Sequence, residues 1–344
     1  MQKGPTLSVV VNNYNYGRFL AAALDSALAQ LAPGDELIVV DDGSTDDSGA
    51  VLERYAERPN VRLIRQANQG QVAAVLRGLE AARGELITLL DSDDEYLDGY
   101  LDRLRACARA QPAVDFFFCR AAPAGPAAGA LATTARTLAR MHFAEGPVGS
   151  GRCATLLFGE FLGSPTSGLA LRAGLAAAML AVSDGLRAPS RGAEARGHEP
   201  IVAPATLRRL SADGLLVRLA SALGAGKYSL ATAGFRYRIH GGNVFASLSP
   251  LARLRLRARR VNRIARLVAV VSGSPRRPPL QTLRDEAHTR ATPLHGRRRV
   301  MLAVQYGLAA LFARGPLWRR LLSSPGITVA MLRLRPQAIG DQAT

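Results

Sequence analysis

Lysine is almost missing from this 344-residue chain: Lys3 and Lys227 stand against 42 arginines. Cysteine is scarce too. Cys107, Cys119 and Cys153 cannot build a disulfide-dense secreted scaffold, and no pair has zinc-knuckle spacing. They read most simply as small buried hydrophobes. No apolar stretch reaches the ~18–20 residues that a membrane span requires. The longest uncharged segments are Ala121–Ala135, rich in Ala, Gly and Pro, and Met301–Ala313. Met1–Pro5 shows no apolar leader, so a cytoplasmic protein is expected. What the chain does have is 48% apolar residues, which excludes wholesale disorder and can bury a large core.

Acidic residues are absent from one region more than any other. The net charge is +17, and residues 246–344 carry +16 of it, with 19 Arg against Asp285, Glu286 and Asp341. The first 245 residues are nearly neutral at +1. Leu251–Val271 places Leu254, Ala258, Val261, Ala265, Val268 and Val271 on one helical face, with Arg253, Arg257, Arg260, Arg263 and Arg266 beside or opposite it. That is the pattern of a basic amphipathic helix. Met301–Phe312 and Leu321–Leu334 are two further apolar segments bounded by Arg. Either these helices pack on the rest of the protein with Arg outward, or they lie on an anionic membrane surface. Nucleic acid is not expected, since no nucleic-acid module and few interleaved aromatics are present.

The first 120 residues alternate between strand and helix patterns. Leu7–Val11, Glu36–Val40, Val61–Ile64, Leu86–Leu90 and Val114–Cys119 are short apolar runs. Gly17–Gln30, Asp46–Tyr55, Gln71–Ala82 and Leu97–Ala110 have helical spacing, with Ser44 or Thr45 a plausible cap for the second. Such alternation predicts crossover units and a mostly parallel α/β sheet with helices on both faces. Residues 121–151 loosen into an expected linker, Asp184–Pro204 reads as a long loop, Asp213–Leu223 as a helix and Phe235–His240 as a strand end. Three parts follow: 1–120, 121–245 and a basic helical region 246–344.

In sheets of this kind ligands sit outside the carboxyl ends of the strands. Three polar turns fall there: Asn12-Asn13-Tyr14-Asn15, Asp41-Asp42-Gly43-Ser44-Thr45-Asp46 and Asp91-Ser92-Asp93-Asp94. Helix capping accounts for Asp46 and Asp47. It accounts poorly for Asp91, Asp93 and Asp94, which repel one another unless something positive lies between them. Two carboxylates one residue apart can hold Mg²⁺ or Mn²⁺, whose remaining ligands come from water and a substrate diphosphate.

These turns, with Asn68-Gln69-Gly70, resemble in order and spacing the family-2 glycosyltransferases of the GT-A fold, over roughly residues 6–100. The resemblance implies a GT-A Rossmann-like sheet followed by the basic helical region. It implies a donor site for a nucleoside-diphosphate sugar, a UDP-sugar favoured, formed by Asn13, Tyr14, Asn15, Asp41, Asp42, Asn68, Gly70, Asp91, Ser92, Asp93, Arg238 and His240. Asp42 would meet the base, Tyr14 would wall its pocket, and Asp93 and Asp91, with His240, would hold the metal. The chain departs from the family where Leu76 replaces a frequent Asn. A weaker resemblance covers Pro165–Arg172, with Thr166, Ser167 and Gly168 on the acceptor side, Arg209–Asp213, and Tyr237–Asn243. Asp213 would be the catalytic base, deprotonating an acceptor hydroxyl in an inverting transfer. Arg238 and His240 would face the charge that develops on the leaving diphosphate.

The implied acceptor is a glycan or lipid-linked precursor of the cell envelope, met in the cytoplasm or at the inner face of the membrane. Two rivals remain. A sugar nucleotidyltransferase requires a Gly-rich triphosphate loop that Asn12–Gly17 does not supply. A non-catalytic nucleotide-sugar-binding scaffold is distinguished by where Asp213 points. Gly163–Gly168 has phosphate-loop glycine spacing, but Leu169 stands where Lys is required.

Overall fold

Four of the apolar runs form neighbouring parallel strands: Leu7–Asn13 (β1), Glu36–Asp41 (β2), Val61–Arg65 (β3) and Leu86–Asp91 (β4), in the order β3-β2-β1-β4. The computed structural model describes residues 4–125, 138, 143–158, 160–187, 210–240, 280–291, 296–311, 313 and 316–333. Strand residues alternate between the two faces of the sheet, and both faces are covered. Leu7, Val9 and Val11 pack with helices Gly17–Leu28 (α1), Ser48–Glu53 (α2) and Tyr100–Ala110 (α4). Val10, Ile38 and Val40 pack on the opposite side with Gln71–Ala81 (α3), Ala173–Arg187 (α6) and Ala212–Leu223 (α7). Leu76, the departure from the family pattern, is a buried part of that second core.

The sheet does not stop where its parallel part ends. Leu169–Arg172 (β8) inserts antiparallel between β4 and Phe116–Ala124 (β6). Beyond β6 lie Lys227–Arg238 (β9) and then the short Glu95–Tyr96 (β5), while Gly146–Gly149 (β7) pairs with β9 as well. The sheet is therefore mixed, and segments on both sides of residue 120 build it together. β6 runs further than Val114–Cys119, the strand read from sequence, because it pairs with β9 as far as Ala124 beside Arg238. The second helix is shorter than its periodicity predicts. Asp46 accepts hydrogen bonds from the amides of Gly17 (2.9 Å) and Ser48 (3.0 Å), which holds residues 44–47 as a turn. Its N-terminal flank is Asp47, and the Ser44 hydroxyl is used elsewhere. The expected linker between 121 and 151 contributes the end of β6 and all of β7.

Lys227 is buried at the start of β9, where its ammonium donates to the carbonyls of Leu162 (3.0 Å) and Val217 (2.7 Å). Burial pushes its pKa well below the usual lysine value.

Leu280–Ala291 (α8), Gly296–Ala310 (α9) and Leu317–Arg333 (α10) form a third cluster around Leu283, Ala287, Leu302, Tyr306, Ile327 and Met331. The cluster is joined to the sheet region through Arg152–Phe158 (α5). Glu286 accepts from the amides of Cys153 (2.8 Å) and Ala154 (2.9 Å), two donors that the first turn of α5 leaves without intrahelical partners. Arg290 grips the Glu160 carboxylate with two bonds of 2.5 and 2.6 Å. The basic segment Leu251–Val271 lies outside the described residues. No described helix is long and apolar enough to cross a membrane.

Candidate active site

Strand register sets the site. Asn12 pairs with Asp91, and Asn13 with Asp41, so the three polar turns begin at one level of the sheet. Asn13 donates to Asp41 (2.9 Å), whose carboxylate also accepts from the Ser44 hydroxyl (2.5 Å). Asn15 has φ 57°, the only positive value of a described non-glycine residue. Its amide donates to the Ser44 hydroxyl (2.9 Å) and its side-chain oxygen accepts from the Thr45 amide (2.7 Å). A short Asn side chain tolerates that backbone and ties the first turn to the second. Tyr14 between them projects outward, 45% exposed.

Asp42 is 2% exposed. Its carboxylate accepts from the Gln66 side chain (2.7 Å) and from the amides of Gln69 (2.9 Å) and Gly70 (2.7 Å). It thereby fixes the Asn68-Gln69-Gly70 turn, where Gly70 adopts φ 90°, a conformation open to glycine at no steric cost.

One carboxylate oxygen from each of Asp91, Asp93 and Asp94 lies within 4.8 Å of the others. The three are not equivalent. Asp94 is buried, accepting from the Ser167 hydroxyl (2.6 Å) and from the Arg238 amide (3.0 Å). Ser167 in turn accepts from the Asp91 amide (3.1 Å). The Thr166–Gly168 turn thus sits beneath the acidic loop, and Ser167 is 0% exposed. Asp93 meets the His240 Nε2 at 3.0 Å. Asp91 accepts from the Gln71 side chain at 2.9 Å. Burial first and the Asp93 charge second push the carboxyls of both Asp91 and Asp94 above the ordinary range. The neighbouring Ser92 hydroxyl is buried with no hydrogen-bond partner. A divalent cation fits this donor set: it would relieve the repulsion, and Asp91 and Asp93 offer the hard oxygen ligands that Mg²⁺ or Mn²⁺ prefers.

Asp213 reaches the same place from α7, near enough that its charge adds to the upward push on Asp91 and, with the acidic loop, on the partly buried Tyr237 phenol. Its carboxylate accepts from the Gly214 amide at 2.6 Å. Gln71 links the two sides. Its amide nitrogen binds Asp91, and its oxygen accepts from the Ala212 amide (3.1 Å), an otherwise orphan donor at the start of α7.

Arg238 donates to the Asp93 carbonyl (3.1 Å), pairs with Glu95, and lies over the Phe19 ring at 4.7 Å. Its charge is therefore partnered within the loop it braces. Phe19 and Tyr16 pack against His240, with ring centroids 4.8 and 5.5 Å away. Burial, then the Asp93 and Asp91 charges, push the Tyr16 phenol up to about 12. Gln71, Tyr16, Phe19 and Glu95 are not among the residues that the motifs pick out. Gln71 directly follows Asn68-Gln69-Gly70, Tyr16 directly follows the first polar turn and Phe19 lies three residues further on, so adjacency was the available signal.

A sequence model for Glycosyl transferase family 2 matches residues 8–143. Residues 8–143 thus resemble glycosyl transferase family 2. The family-2 segment holds β1–β4 and the whole acidic loop, whereas Ser167, Asp213, Arg238 and His240 lie beyond it. The uncharacterized glycosyltransferase alr2836 of Nostoc sp. is 43% identical over 100 residues, 28% of this chain and 31% of that protein. The glycosyltransferase GlyG of Streptococcus pneumoniae is 40% identical over 100 residues, 28% and 33% of the two chains. The chain thus spans about a third of the length of these curated relatives. The fold extends further than the sequence likeness. S. aureus TarS 1–349 in complex with UDP superposes with a TM-score of 0.54 at 18% identity, covering 95% of this chain and 89% of TarS 1–349. TarS 1–349 without that ligand gives 0.53 at 17% identity, covering 95% and 81%. Family-2 segment and GT-A fold agree with the architecture of the sheet.

Proposed function

We propose that the protein is an inverting, metal-dependent glycosyltransferase that moves a sugar from a nucleoside-diphosphate sugar to an acceptor hydroxyl. One observation carries the reading: Asp91 and Asp93 at the end of β4 and Asp213 at the start of α7 share one site, joined through Gln71. A binding scaffold has no use for a carboxylate on that side. TarS 1–349, which shares the fold, is seen in complex with UDP.

Asp213 takes the proton of the acceptor hydroxyl as its oxygen attacks the anomeric carbon. The bond to the diphosphate breaks on the opposite face, the configuration inverts, and the nucleoside diphosphate leaves with the electron pair. Asp93 and Asp91, with His240 beside them, would hold a divalent cation, which would supply positive charge to that leaving group. Asn13, Asn15, Asp41 and Asp42 shape the turns that receive the base and ribose, with Tyr14 as an exposed wall. Arg238 braces the Asp93–Asp94 loop, and Thr166–Gly168 supports it from below. The acceptor is a glycan or lipid-linked precursor in envelope synthesis.

A thermal-melt panel of nucleoside diphosphates and their sugars, each with and without Mn²⁺, tests the donor assignment. Ligand binding to the folded state alone at a hundredfold excess over Kd stabilises by about 2.7 kcal/mol. At least one diphosphate should raise the midpoint only with the metal present. If none does, the reading fails.

Gln71→Leu keeps most of the side-chain volume and removes both hydrogen bonds. A net worth of about 0.5–1.5 kcal/mol per bond, about 1–3 kcal/mol for the two, corresponds to a roughly 5–150-fold fall in kcat if alignment is what the bonds supply. KM for the donor should change little. An unchanged kcat would mean that Gln71 does not align the two sides.

A further inference from the structure

The α9–α10 hairpin has one buried side and one bare side. Toward α8, α9 presents Leu302, Tyr306 and Ala310, and α10 presents Ile327 and Met331. The two helices also bind each other: Arg299 donates to the Met331 carbonyl (2.6 Å) and Thr328 to the Ala303 carbonyl (3.3 Å). Half a helical turn from the buried stripe, α9 exposes Val300, Met301, Val304 and Leu308. Half a turn from Ile327, α10 exposes Val329, and toward its N-terminus Trp318 (58%) and Leu322 (69%). A solvent-facing helix surface is ordinarily polar, and a contiguous apolar one marks an interaction site.

Charge identifies the occupant. Arg297, Arg298, Arg319 and Arg333 stand exposed at the ends of these helices, and residues 287–340 contain no Asp or Glu. Arg319 lies over the Trp318 ring at 5.1 Å. Apolar side chains backed by a ring of arginine, with a tryptophan among them, are what a helix lying in the headgroup layer of a bilayer requires. Neither helix is apolar enough to span it. The ties from Glu286 and Arg290 join α8, on which this hairpin packs, to α5 and Glu160.

We infer that the exposed face of α9 and α10 docks on an anionic lipid surface. The assignment is independent of the proposed chemistry, since its readout uses no sugar nucleotide. Trp318 is the only tryptophan in the sequence, so selectively excited tryptophan fluorescence reports this face alone. The full chain is mixed with vesicles of phosphatidylcholine and phosphatidylglycerol, and with phosphatidylcholine alone. Emission should move to shorter wavelength, and the protein should float with the vesicles, only when phosphatidylglycerol is present. Raising salt should weaken the association, because exposed charges are screened beyond ~8 Å at physiological ionic strength. A double variant, Val304→Glu with Leu322→Glu, changes two exposed positions and should keep its melting midpoint while vesicle partitioning falls more than about tenfold. Equal partitioning of the variant overturns the assignment, as does a chain that neither shifts nor floats. An emission shift that follows protein concentration without lipid also overturns it, giving the face to a second copy of the chain.

Discussion

Asp213→Asn should lower turnover about 10²–10⁴-fold, the usual worth of a general base, while nucleotide-sugar binding stays near that of the parent protein. In free energy this is about 2.7–5.5 kcal/mol of lost transition-state stabilisation. The substitution separates chemistry from architecture. The asparagine side-chain oxygen can still accept from the Gly214 amide, so the first turn of α7 keeps its local bond. The Ala212 amide remains with Gln71. What is lost is the ability to receive a proton. Single-turnover transfer from a radiolabelled donor, alongside calorimetric binding of the nucleoside diphosphate, measures the two quantities separately. Retention of most activity would give the base role to another group.

The second large effect falls on Asp93. Asp93→Ala should remove metal-dependent nucleotide binding altogether and leave the protein folded. The site explains both halves. Asp93 is the member of the acidic loop whose carboxylate faces His240, whereas Asp94 is committed to Ser167 and the Arg238 amide. Removing Asp93 also removes a charge that pushes the Asp91 and Asp94 carboxyls upward, so relief of repulsion offsets the lost contact with His240. The thermal midpoint without ligand should hold or rise. Calorimetry with Mn²⁺ and a nucleoside diphosphate supplies the check, and undiminished binding by the variant would refute the ligand assignment. Asp94→Ala makes the contrast: it strips the partner from the buried Ser167 hydroxyl and should cost fold stability.

The parallel half of the sheet was legible because its information is local. Leu7–Val11 and Leu86–Leu90 are apolar runs broken only by Ser8 and Thr88, and a strand buried on both faces needs little else. The polar turns at their ends followed from the same pattern. The antiparallel half was harder. β8 is four residues long, and nothing in Leu169–Arg172 announces that it separates β4 from β6. The supports of the acidic loop were hidden for a related reason. Ser167 acts on Asp91 across 76 residues, and His240 meets Asp93 across 147. Contacts of that separation leave no periodicity behind, and only the motif resemblance brought those residues forward. Gln71 shows the limit most clearly: its position on a helix was legible, but its bridging to Ala212 depends on how α3 and α7 meet. In the C-terminal region α9 and α10 were visible in the sequence as apolar segments, whereas α8 was not read as a separate helix, and the exposure of their apolar face required its packing against the other side.

The insertion of β8 also bears on how the chain can be cut. Residues 8–143 look like a self-sufficient module when judged by family likeness. In the sheet they are not one. Ending at 143 removes β8 and β9, the two strands on either side of β6, and leaves the other edge of β4 bare. A hydrophobic strand edge without a neighbour recruits other chains. A nascent chain therefore passes through a hazardous interval while residues 92–168 are synthesised, until Leu169–Arg172 emerges to close that edge. Expression boundaries and domain swaps in this protein belong after β9, at residue 240 or later, and never at the end of the recognised family segment.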